Sequence, residues 1–263
     1  MNIIEHNRAA WNRESAAGGE WSIPVSPEVI QAARAGNWSV ILTPTKPVPA
    51  SWFGDLRGKE VLCLASGGGQ QAPVLAAAGA NVTSFDLSDV QLGKDREVAE
   101  REGLPIRCSR GDMSDLSGLS SEAFDIIFHP VSNLFVPDVS VVWRECFRVL
   151  KSGGNLLAGF MSPVLFLFDP EEVEQTGQLV VRYRLPYSDS GSLGEEARQR
   201  WAQSQRPAEF GHTLQDQIGG QITAGFVLTG FYEDCWTDEA TLLNRYSAVS
   251  IATKATKPGQ SRP

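Results

Sequence analysis

The sequence predicts an α/β domain with a doubly wound, mostly parallel sheet, and three observations support this prediction. Between residues 59 and 160, short apolar runs alternate with longer stretches of helical character. The first apolar run ends in three consecutive glycines, and the chain closes with two further strand-like runs. Strands that alternate with helices of about ten or more residues form parallel sheets, because each helix carries the chain back across the sheet. The closing pair predicts an antiparallel hairpin at the sheet edge.

Residues 1–50 are predicted to form a helical lead-in to this domain. A helix is expected over residues 3–17. The segment T-P-T-K-P-V-P at 43–49 carries three prolines, which hold the backbone in an extended conformation. We therefore place the start of the core domain at residue 51.

The core domain, residues 51–160, contains five predicted strands and three predicted helices. The strands are expected at 61–65, 82–86, 106–109, 124–128 and 155–160, and the helices at 70–78, 88–102 and 139–150. Ser88 is suited to cap the second helix at its N-terminus. Gly79 and Gly103 follow the first two helices and are typical of C-terminal stops.

The regular alternation breaks after residue 160, and residues 161–224 are interpreted as an inserted cap on the substrate side. Within this cap, the sequence predicts a strand at 178–184, a polar helix at 193–203 and a helix that starts near Thr213. Residues 225–256 are predicted to complete the core sheet as the terminal hairpin. Its two strands are expected at 226–236 and 245–253.

The composition narrows the classes of function. The 263 residues carry a net charge of −8, and such an acidic surface repels nucleic-acid phosphates and anionic lipids. Four cysteines lie far apart without a C-x-x-C pair, so no metal site is predicted. The N-terminus lacks the basic and apolar regions of a signal peptide, and no apolar run reaches about 18 residues. We expect a cytoplasmic protein whose main partner is neither nucleic acid nor membrane.

The glycine-rich turn after the first predicted strand is the clearest functional motif. Gly67, Gly68 and Gly69 lie between an apolar strand and an alanine-rich helix. Glycines allow a tight turn and a close approach of ligand to backbone, and the following helix offers unpaired N–H groups. Asp86 ends the second strand, 19 residues after Gly67, where an acidic side chain typically accepts hydrogen bonds from a ribose diol. Together these features predict a nucleotide-type cofactor.

The same glycines leave the class of cofactor open. Residues 67–72, G-G-G-Q-Q-A, also fit the G-x-G-x-x-A fingerprint of dinucleotide-binding enzymes. An NAD(P)-dependent oxidoreductase is therefore one alternative at this point. No Tyr-x-x-x-Lys pair, which would favour it, is found in the sequence.

Three further motifs follow in order along the core. They are G-D-M at 111–113, A-F-D-I-I-F-H-P-V-S-N at 123–133 and R-V-L-K-S-G-G-N-L-L at 148–157. With the glycine turn, they make the stretch from about residue 59 to 160 resemble the class I S-adenosylmethionine-dependent methyltransferases, and in particular the bacterial small-molecule methyltransferases of type 11. The terminal hairpin is also a trait of this Rossmann-like family. The resemblance implies methyl transfer to an O, N or S atom of a small molecule, with a non-enzymatic S-adenosylmethionine-binding protein as a further alternative.

The resemblance also implies a set of cofactor contacts. Gly67 and Gly69 are expected near the methionine and ribose portions, and Asp86 at the ribose hydroxyls. Leu87 and Met113 are expected against the adenine ring and Asp112 at its amino group. The remaining predicted contacts are Ala65, Gly68, Gln71, Gln91, Gly111, His129 and Val131.

Two positions depart from the family pattern. Cys63 stands where the family usually has an acidic residue that helps to orient the ammonium group of the cofactor. A thiol does not replace that charge, so another group must do so or the affinity is lower. Ala65 replaces a common glycine, which is a milder change.

Three residues are candidates for catalysis. His212 precedes a T-L-Q-D capping box and is expected to be either a substrate contact or base, or a neighbour of a helix cap. His129 follows the fourth strand, and is either functional or a loop histidine bonded to backbone. Asn133 is expected to orient a substrate heteroatom, or to be a turn residue. The first helix resembles the family's lid, with Trp11 expected as a packing residue of that lid or, alternatively, as part of the substrate wall.

Overall fold

The computed structural model describes residues 2–237 and 239–259, and its centre is a seven-stranded sheet in the order β3-β2-β1-β4-β5-β9-β8. The strands are β1 (Glu60–Leu64), β2 (Asn81–Asp86), β3 (Ile106–Arg110), β4 (Phe124–His129), β5 (Leu150–Met161), β6 (Tyr187–Ser188), β7 (Phe210–Gly211), β8 (Val227–Asp234) and β9 (Ser250–Thr256). The first five strands pair in parallel, and β9 lies antiparallel between β5 and β8. The predicted fold class, including the antiparallel edge hairpin, is confirmed.

The helices are α1 (Ile3–Ala16), α2 (Pro27–Arg34), α3 (Gln71–Ala77), α4 (Asp89–Glu102), α5 (Val139–Val149), α6 (Pro170–Thr176), α7 (Asp189–Ser192), α8 (Glu195–Ser204) and α9 (Gly220–Thr223). Helices α1, α3, α4, α5 and α8 begin and end close to the predicted residues, whereas α2, α6 and α7 were not predicted. The helix expected from near Thr213 is a π-helical turn, Gln215–Gly219, that continues into α9. Ser88 caps α4 by accepting a hydrogen bond from the backbone N–H of Gln91 at 3.1 Å. Gly103 ends α4 with φ of 63°, a left-handed conformation that glycine adopts at little cost.

Strand β1 shows why the sheet is covered on both faces. Val61 and Cys63 pack with residues of α3 on one face, whereas Leu62 and Leu64 pack with residues of α5 on the other. All four side chains are fully buried. Successive side chains of a strand alternate between faces, so a continuous apolar run is what a strand between two helical layers requires.

Three of the predicted strands differ from the structure in part or in whole. Residues 178–184 form no strand; only Val181 makes an isolated bridge, to Phe168. The second hairpin strand starts at Ser250 rather than at residue 245, because Leu242–Arg245 form a 3-10 turn. Strand β5 also begins earlier than predicted, at Leu150, and its glycines pair with the segment after β9 through hydrogen bonds with Lys257.

Candidate active site

A cavity of about 590 Å³ lies at the carboxyl ends of the parallel strands. The residues that follow or end β1, β2, β3 and β4 line it, among them Ser66, Asp86, Gly111 and Pro130. This edge of an open α/β sheet is where ligands bind, since the loops and helix N-termini diverge there. Its volume is in the range of small-molecule and cofactor pockets.

The turn after β1 is held against β2 and α4. The backbone N–H of Gly67 donates a hydrogen bond of 3.0 Å to Oδ2 of Asp86. A Cβ at Gly67 would come within 2.8 Å of the Cβ of Gln91, so only glycine allows this approach. Ala65, with φ of 49°, and Gly67, which are both predicted cofactor contacts, line the cavity.

Gly68 and Gly69 lie outside the cavity wall and face the N-terminal lead-in. A Cβ at Gly68, where φ is 125°, would lie 2.3 Å from the carbonyl oxygen of Trp21. The backbone of Gly69 accepts a hydrogen bond from the N–H of Val25 at 2.8 Å. These two glycines, predicted as cofactor contacts, therefore allow the segment around Trp21 to pack over the turn.

Asp86 presents its carboxylate to the cavity beside Leu87 and Gln91. Its Oδ1 accepts a hydrogen bond of 2.8 Å from the N–H of Ser88, and its Oδ2 accepts the bond from Gly67. Burial raises the pKa of Asp86 above its ordinary value, although these N–H groups favour the ionised form. These two hydrogen bonds hold the side chain in place, and its carboxylate oxygens can still accept hydrogen bonds from a ligand.

The motif G-D-M forms the wall beyond β3. Gly111, Asp112 and Met113 all line the cavity. A Cβ at Gly111 would lie 2.2 Å from Cζ of Phe85, so the ring of Phe85 lies against the backbone here. Phe85 also lines the cavity and was not predicted as a site residue, because inside an apolar strand it is indistinguishable from a core residue.

The lead-in contributes a wall segment that the sequence did not indicate, residues 41–44. Gln71, a predicted contact in the wall, accepts a hydrogen bond of 3.2 Å from the N–H of Ile41 through its side chain. Val131, also predicted, donates its N–H to the carbonyl oxygen of Leu42 at 3.1 Å. These pairings join the proline-rich segment to the core.

The three predicted catalytic residues lie behind the wall, not on it. His129 is fully buried with Nδ1 at 2.9 Å from the carbonyl oxygen of Leu64, and burial lowers its pKa to about 4. The side-chain amides of Asn133 and Gln217 pair through two hydrogen bonds of 3.1 and 3.0 Å. His212 is buried, with Nε2 at 3.2 Å from the carbonyl oxygen of Asn133, and burial lowers its pKa. Each has a structural partner, and none lines the cavity formed by the described residues.

A buried carboxylate lies beneath the glycine turn, and it comes from α4. Asp95 accepts hydrogen bonds from the N–H of Gly69 at 2.8 Å and from the hydroxyl of Ser84 at 2.5 Å. Burial raises the pKa of Asp95 to about 7. The thiol of Cys63 is fully buried, and its pKa is raised by burial and then by the nearby charge of Asp95. The acidic group near the turn is thus supplied by a helix, while β1 carries the uncharged Cys63.

Helix α1 closes the cavity from above and is attached to the cap. Asn7 donates through Nδ2 to the carbonyl oxygens of Phe135, at 2.9 Å, and Ala208, at 3.2 Å, and accepts from the N–H of Ala208 at 2.7 Å. Arg13 donates to the carbonyl oxygen of Gln205 at 2.8 Å. The ring of Trp11 meets Phe135 edge to face, with centroids 5.1 Å apart, and both line the cavity.

Another part of the cavity wall is apolar and aromatic, and the cap adds a single ionisable side chain to it. Its apolar residues are Trp11, Leu134, Phe135, Met161, Leu165 and Trp236. The ionisable side chain is Glu209, from the cap. Across the whole wall built by residues 2–237 and 239–259, the ionisable groups are three carboxylates, Asp86, Asp112 and Glu209, without Lys, Arg or His. The cavity therefore suits cationic and neutral ligands.

Comparison with known proteins identifies the family. A sequence profile for a methyltransferase domain matches residues 62–158. The methyltransferase YbaJ of Bacillus subtilis is 48% identical over 255 residues, which is 97% of this chain and 98% of that protein. The chain belongs to the class I S-adenosylmethionine-dependent methyltransferases.

Two solved structures and a second relative show how far the likeness extends. An S-adenosylmethionine-dependent methyltransferase from Mesorhizobium loti matches 78% of this chain and 94% of its own, with a TM-score of 0.59 at 17% identity. Geranyl diphosphate methyltransferase in complex with S-adenosylmethionine matches 79% of this chain and 82% of its own, with a TM-score of 0.53 at 14% identity. The ubiquinone biosynthesis O-methyltransferase of Pseudomonas syringae is 29% identical over 127 residues, 46% of this chain and 55% of that protein.

These findings decide the cofactor and the class of enzyme. The methyltransferase uses S-adenosylmethionine, so the NAD(P)-dependent oxidoreductase and the non-enzymatic binding protein are set aside. The cavity fits this donor because its sulfonium is a cation and the charged groups of the described wall are carboxylates. Within the described residues, no helix has the length and apolar character needed to cross a membrane.

Proposed function

We propose that the methyltransferase transfers the methyl group of S-adenosylmethionine to an O, N or S atom of a small molecule. The observation that carries this proposal is the continuity of the cavity. The predicted donor contacts Gly67, Asp86 and Asp112 share one cavity with the aromatic residues Trp11 and Trp236. When the donor and acceptor sites share one cavity, both molecules can be bound at the same time with their reacting atoms next to each other.

In this proposal each part of the chain has a role around that cavity. The bound donor supplies a methyl group already activated by a positively charged sulfur. The core residues Asp86, Leu87 and Met113 hold its nucleoside end, and Gly67 faces its amino-acid end. Residues 1–50 act as the lid, and the cap supplies the acceptor wall, so water is kept from the reacting atoms.

A small and non-anionic acceptor agrees best with the wall. Asn2, Ile3 and Asn7 of the lead-in cover the cavity, which leaves a volume of about 590 Å³ to hold donor and acceptor together. The described wall lacks a cationic side chain to pair with phosphate, and the net charge is −8. An acceptor with a diphosphate group, such as the one named for the geranyl diphosphate enzyme, is therefore disfavoured.

Calorimetric titration tests the donor half of the proposal, and product analysis tests the acceptor half. We expect micromolar binding of S-adenosylmethionine and S-adenosylhomocysteine, and no binding of NADH. Incubation with labelled S-adenosylmethionine and a small-molecule extract should give a labelled compound of low mass. Binding of NADH alone would contradict the assignment of the donor, whereas label found only in protein or nucleic acid would contradict the small-molecule acceptor.

A further inference from the structure

Glu209 is held in place through its backbone, while its side chain belongs to the cavity wall. Its N–H donates a hydrogen bond of 2.8 Å to Oδ2 of Asp189, and its carbonyl oxygen accepts one of 3.2 Å from the N–H of Asp189. Among the described residues, no hydrogen bond or ion pair involves the carboxylate of Glu209. Glu209 is half-buried, and a carboxylate in a ligand cavity that bonds to no protein group is available to a ligand that brings a positively charged partner.

The groups around Glu209 set its charge near neutral pH. Burial, followed by the charge of Asp189, raises the pKa of Glu209 to about 7, and Arg206 opposes this shift. Asp189 itself accepts a hydrogen bond of 2.8 Å from the hydroxyl of Tyr187 and lies near Arg206 and His6. A carboxyl group with a pKa close to the working pH is suited to accept and release a proton.

The cavity that Glu209 lines also has an apolar and aromatic surface. Ala208, next to Glu209, bonds to Asn7, and Asn7 bonds to the carbonyl oxygen of Phe135, whose ring contacts Trp11. Trp236 lines the same cavity, and the other two carboxylates of its wall, Asp86 and Asp112, lie at the end of β2 and beyond β3. Aromatic faces attract ammonium groups through the ring quadrupole, and a carboxylate among them completes a site for a cation. The combination favours an apolar amine over an acid.

We propose that Glu209 binds the reacting nitrogen of the methyl acceptor and accepts its proton, so that the acceptor is a small, largely apolar amine. This inference rests on the proposed function, since it assigns the acceptor within the same cavity. It replaces His212, His129 and Asn133 as the group that meets the acceptor, because Glu209 alone among the four lines the cavity.

The proton and electron count of this step is balanced. The ammonium of the acceptor passes one proton to the ionised Glu209, which leaves a neutral amine with a free lone pair. That lone pair forms the new C–N bond as the C–S bond breaks, and the electron pair of the broken bond stays on sulfur as a thioether. The methylated product carries the positive charge, and Glu209 returns its proton to solvent when the lid opens.

Binding of three matched probes tests the proposal without turnover. Phenethylamine, phenethyl alcohol and 3-phenylpropionate present an ammonium, a hydroxyl and a carboxylate on similar apolar bodies. Calorimetry on the protein saturated with S-adenosylhomocysteine should show the amine bound most tightly and the acid most weakly. Because Glu209 ionises as the pH rises through about 7, the affinity for the amine should increase about tenfold between pH 6 and pH 8.

Two variants test whether the preference for the amine and its pH dependence are due to Glu209. Glu209→Gln should abolish both the preference for the amine and its pH dependence, with unchanged affinity for S-adenosylhomocysteine. Glu196→Gln, the same change at an exposed position on α8, should keep both. Equal affinity for the three probes, no binding of the amine at millimolar concentration, or an amine preference that survives in Glu209→Gln would overturn the proposal. Failure of the parent protein to bind S-adenosylhomocysteine would instead count against the proposed function.

Discussion

Oδ2 of Asp86 accepts a hydrogen bond of 3.0 Å from the backbone N–H of Gly67, so the two most informative motifs of the sequence are in direct contact. The contact joins the end of β2 to the turn after β1. Asp86 therefore shapes the glycine turn as well as facing the cavity. A substitution of Asp86 therefore affects both the stability of the glycine turn and the binding of a ligand. Different replacement side chains can separate these two effects.

Asp86→Ala should lower the affinity for S-adenosylmethionine at least tenfold. It removes the acceptor proposed for the ribose hydroxyls, and it leaves the N–H groups of Gly67 and Ser88 without their partner, at a cost of about 1–3 kcal/mol each in stability. Asp86→Asn keeps one acceptor oxygen and should retain more stability than affinity. Calorimetry and urea unfolding measure the two effects, and unchanged affinity in Asp86→Ala would refute the role of Asp86 in donor binding.

Gly68→Ala should weaken the attachment of the lead-in to the glycine turn. The new Cβ would lie 2.3 Å from the carbonyl oxygen of Trp21, and φ at this residue is 125°. We expect a lower melting temperature and faster hydrogen exchange around Trp21. Gly93→Ala is the matched control, because a Cβ there meets no atom within 4 Å and alanine is the better helix former. Equal stability of the two variants would contradict the close packing of Gly68 against Trp21.

Asn7→Ala should destabilise the packing of α1 over the cavity. The side-chain amide of Asn7 bonds to the backbones of Phe135 and Ala208, and the buried N–H of Ala208 would lose its acceptor, at about 1–3 kcal/mol. Urea unfolding and hydrogen exchange across α1 should both show the change. Arg8→Ala, which removes only a surface ion pair with Glu5, should alter stability by less than about 1 kcal/mol. An intact exchange pattern in Asn7→Ala would show that other contacts hold α1 in place.

His212→Ala should lower turnover more than donor affinity, and by a similar factor at every pH. His212 contacts the carbonyl oxygen of Asn133, and Asn133 precedes the wall residues Leu134 and Phe135. We therefore treat His212 as a positioning residue whose loss displaces the wall. Partial rescue by His212→Asn, which keeps a donor, would support this role. If the loss of turnover instead depended on pH, as expected when a general base is removed, His212 would be a catalytic base.

The core of the fold could be predicted because its signals are local in sequence. Strand β1 is a run of buried residues that ends in glycines, and α4 carries its own cap at Ser88 and its own stop at Gly103. Each of these features depends only on residues that are a few positions away in the sequence. The contact between Gly67 and Asp86 also follows, since neighbouring parallel strands bring their carboxyl ends together.

The acceptor end could not be predicted, because it is built by contacts between distant segments. Glu209 reaches the cavity through the pairing of β7 with β6 and its backbone bonds to Asp189, and nothing near it in sequence marks it as different from a surface glutamate. The error at 178–184 has a related origin. The alternation there resembles a strand, but Arg182 forms an ion pair with Glu172 of α6 instead of joining a sheet.

Asp95→Asn should stabilise the protein increasingly as the pH rises. Burial raises the pKa of Asp95 to about 7, whereas an unfolded aspartate titrates near 4, so the folded state binds more protons between these values. The stability contributed by Asp95 is therefore present below about pH 4 and lost as the pH rises to 7. The difference in unfolding free energy between variant and parent should grow by about 1.4 kcal/mol for each pH unit in this window.

The geometry explains why asparagine is the informative replacement at this residue. Its oxygen can still accept from the N–H of Gly69, and its amide can donate to the hydroxyl of Ser84, which rotates to accept. Buried His129, whose pKa is lowered to about 4, has the opposite effect on stability but is common to both proteins, so it cancels in the comparison. Asp89→Asn, the same change at the exposed start of the same helix, is the matched control. A pH-independent difference between Asp95→Asn and the parent would mean that Asp95 titrates in the folded protein as it does in the unfolded chain, and that the ionised carboxylate is stabilised beneath the turn.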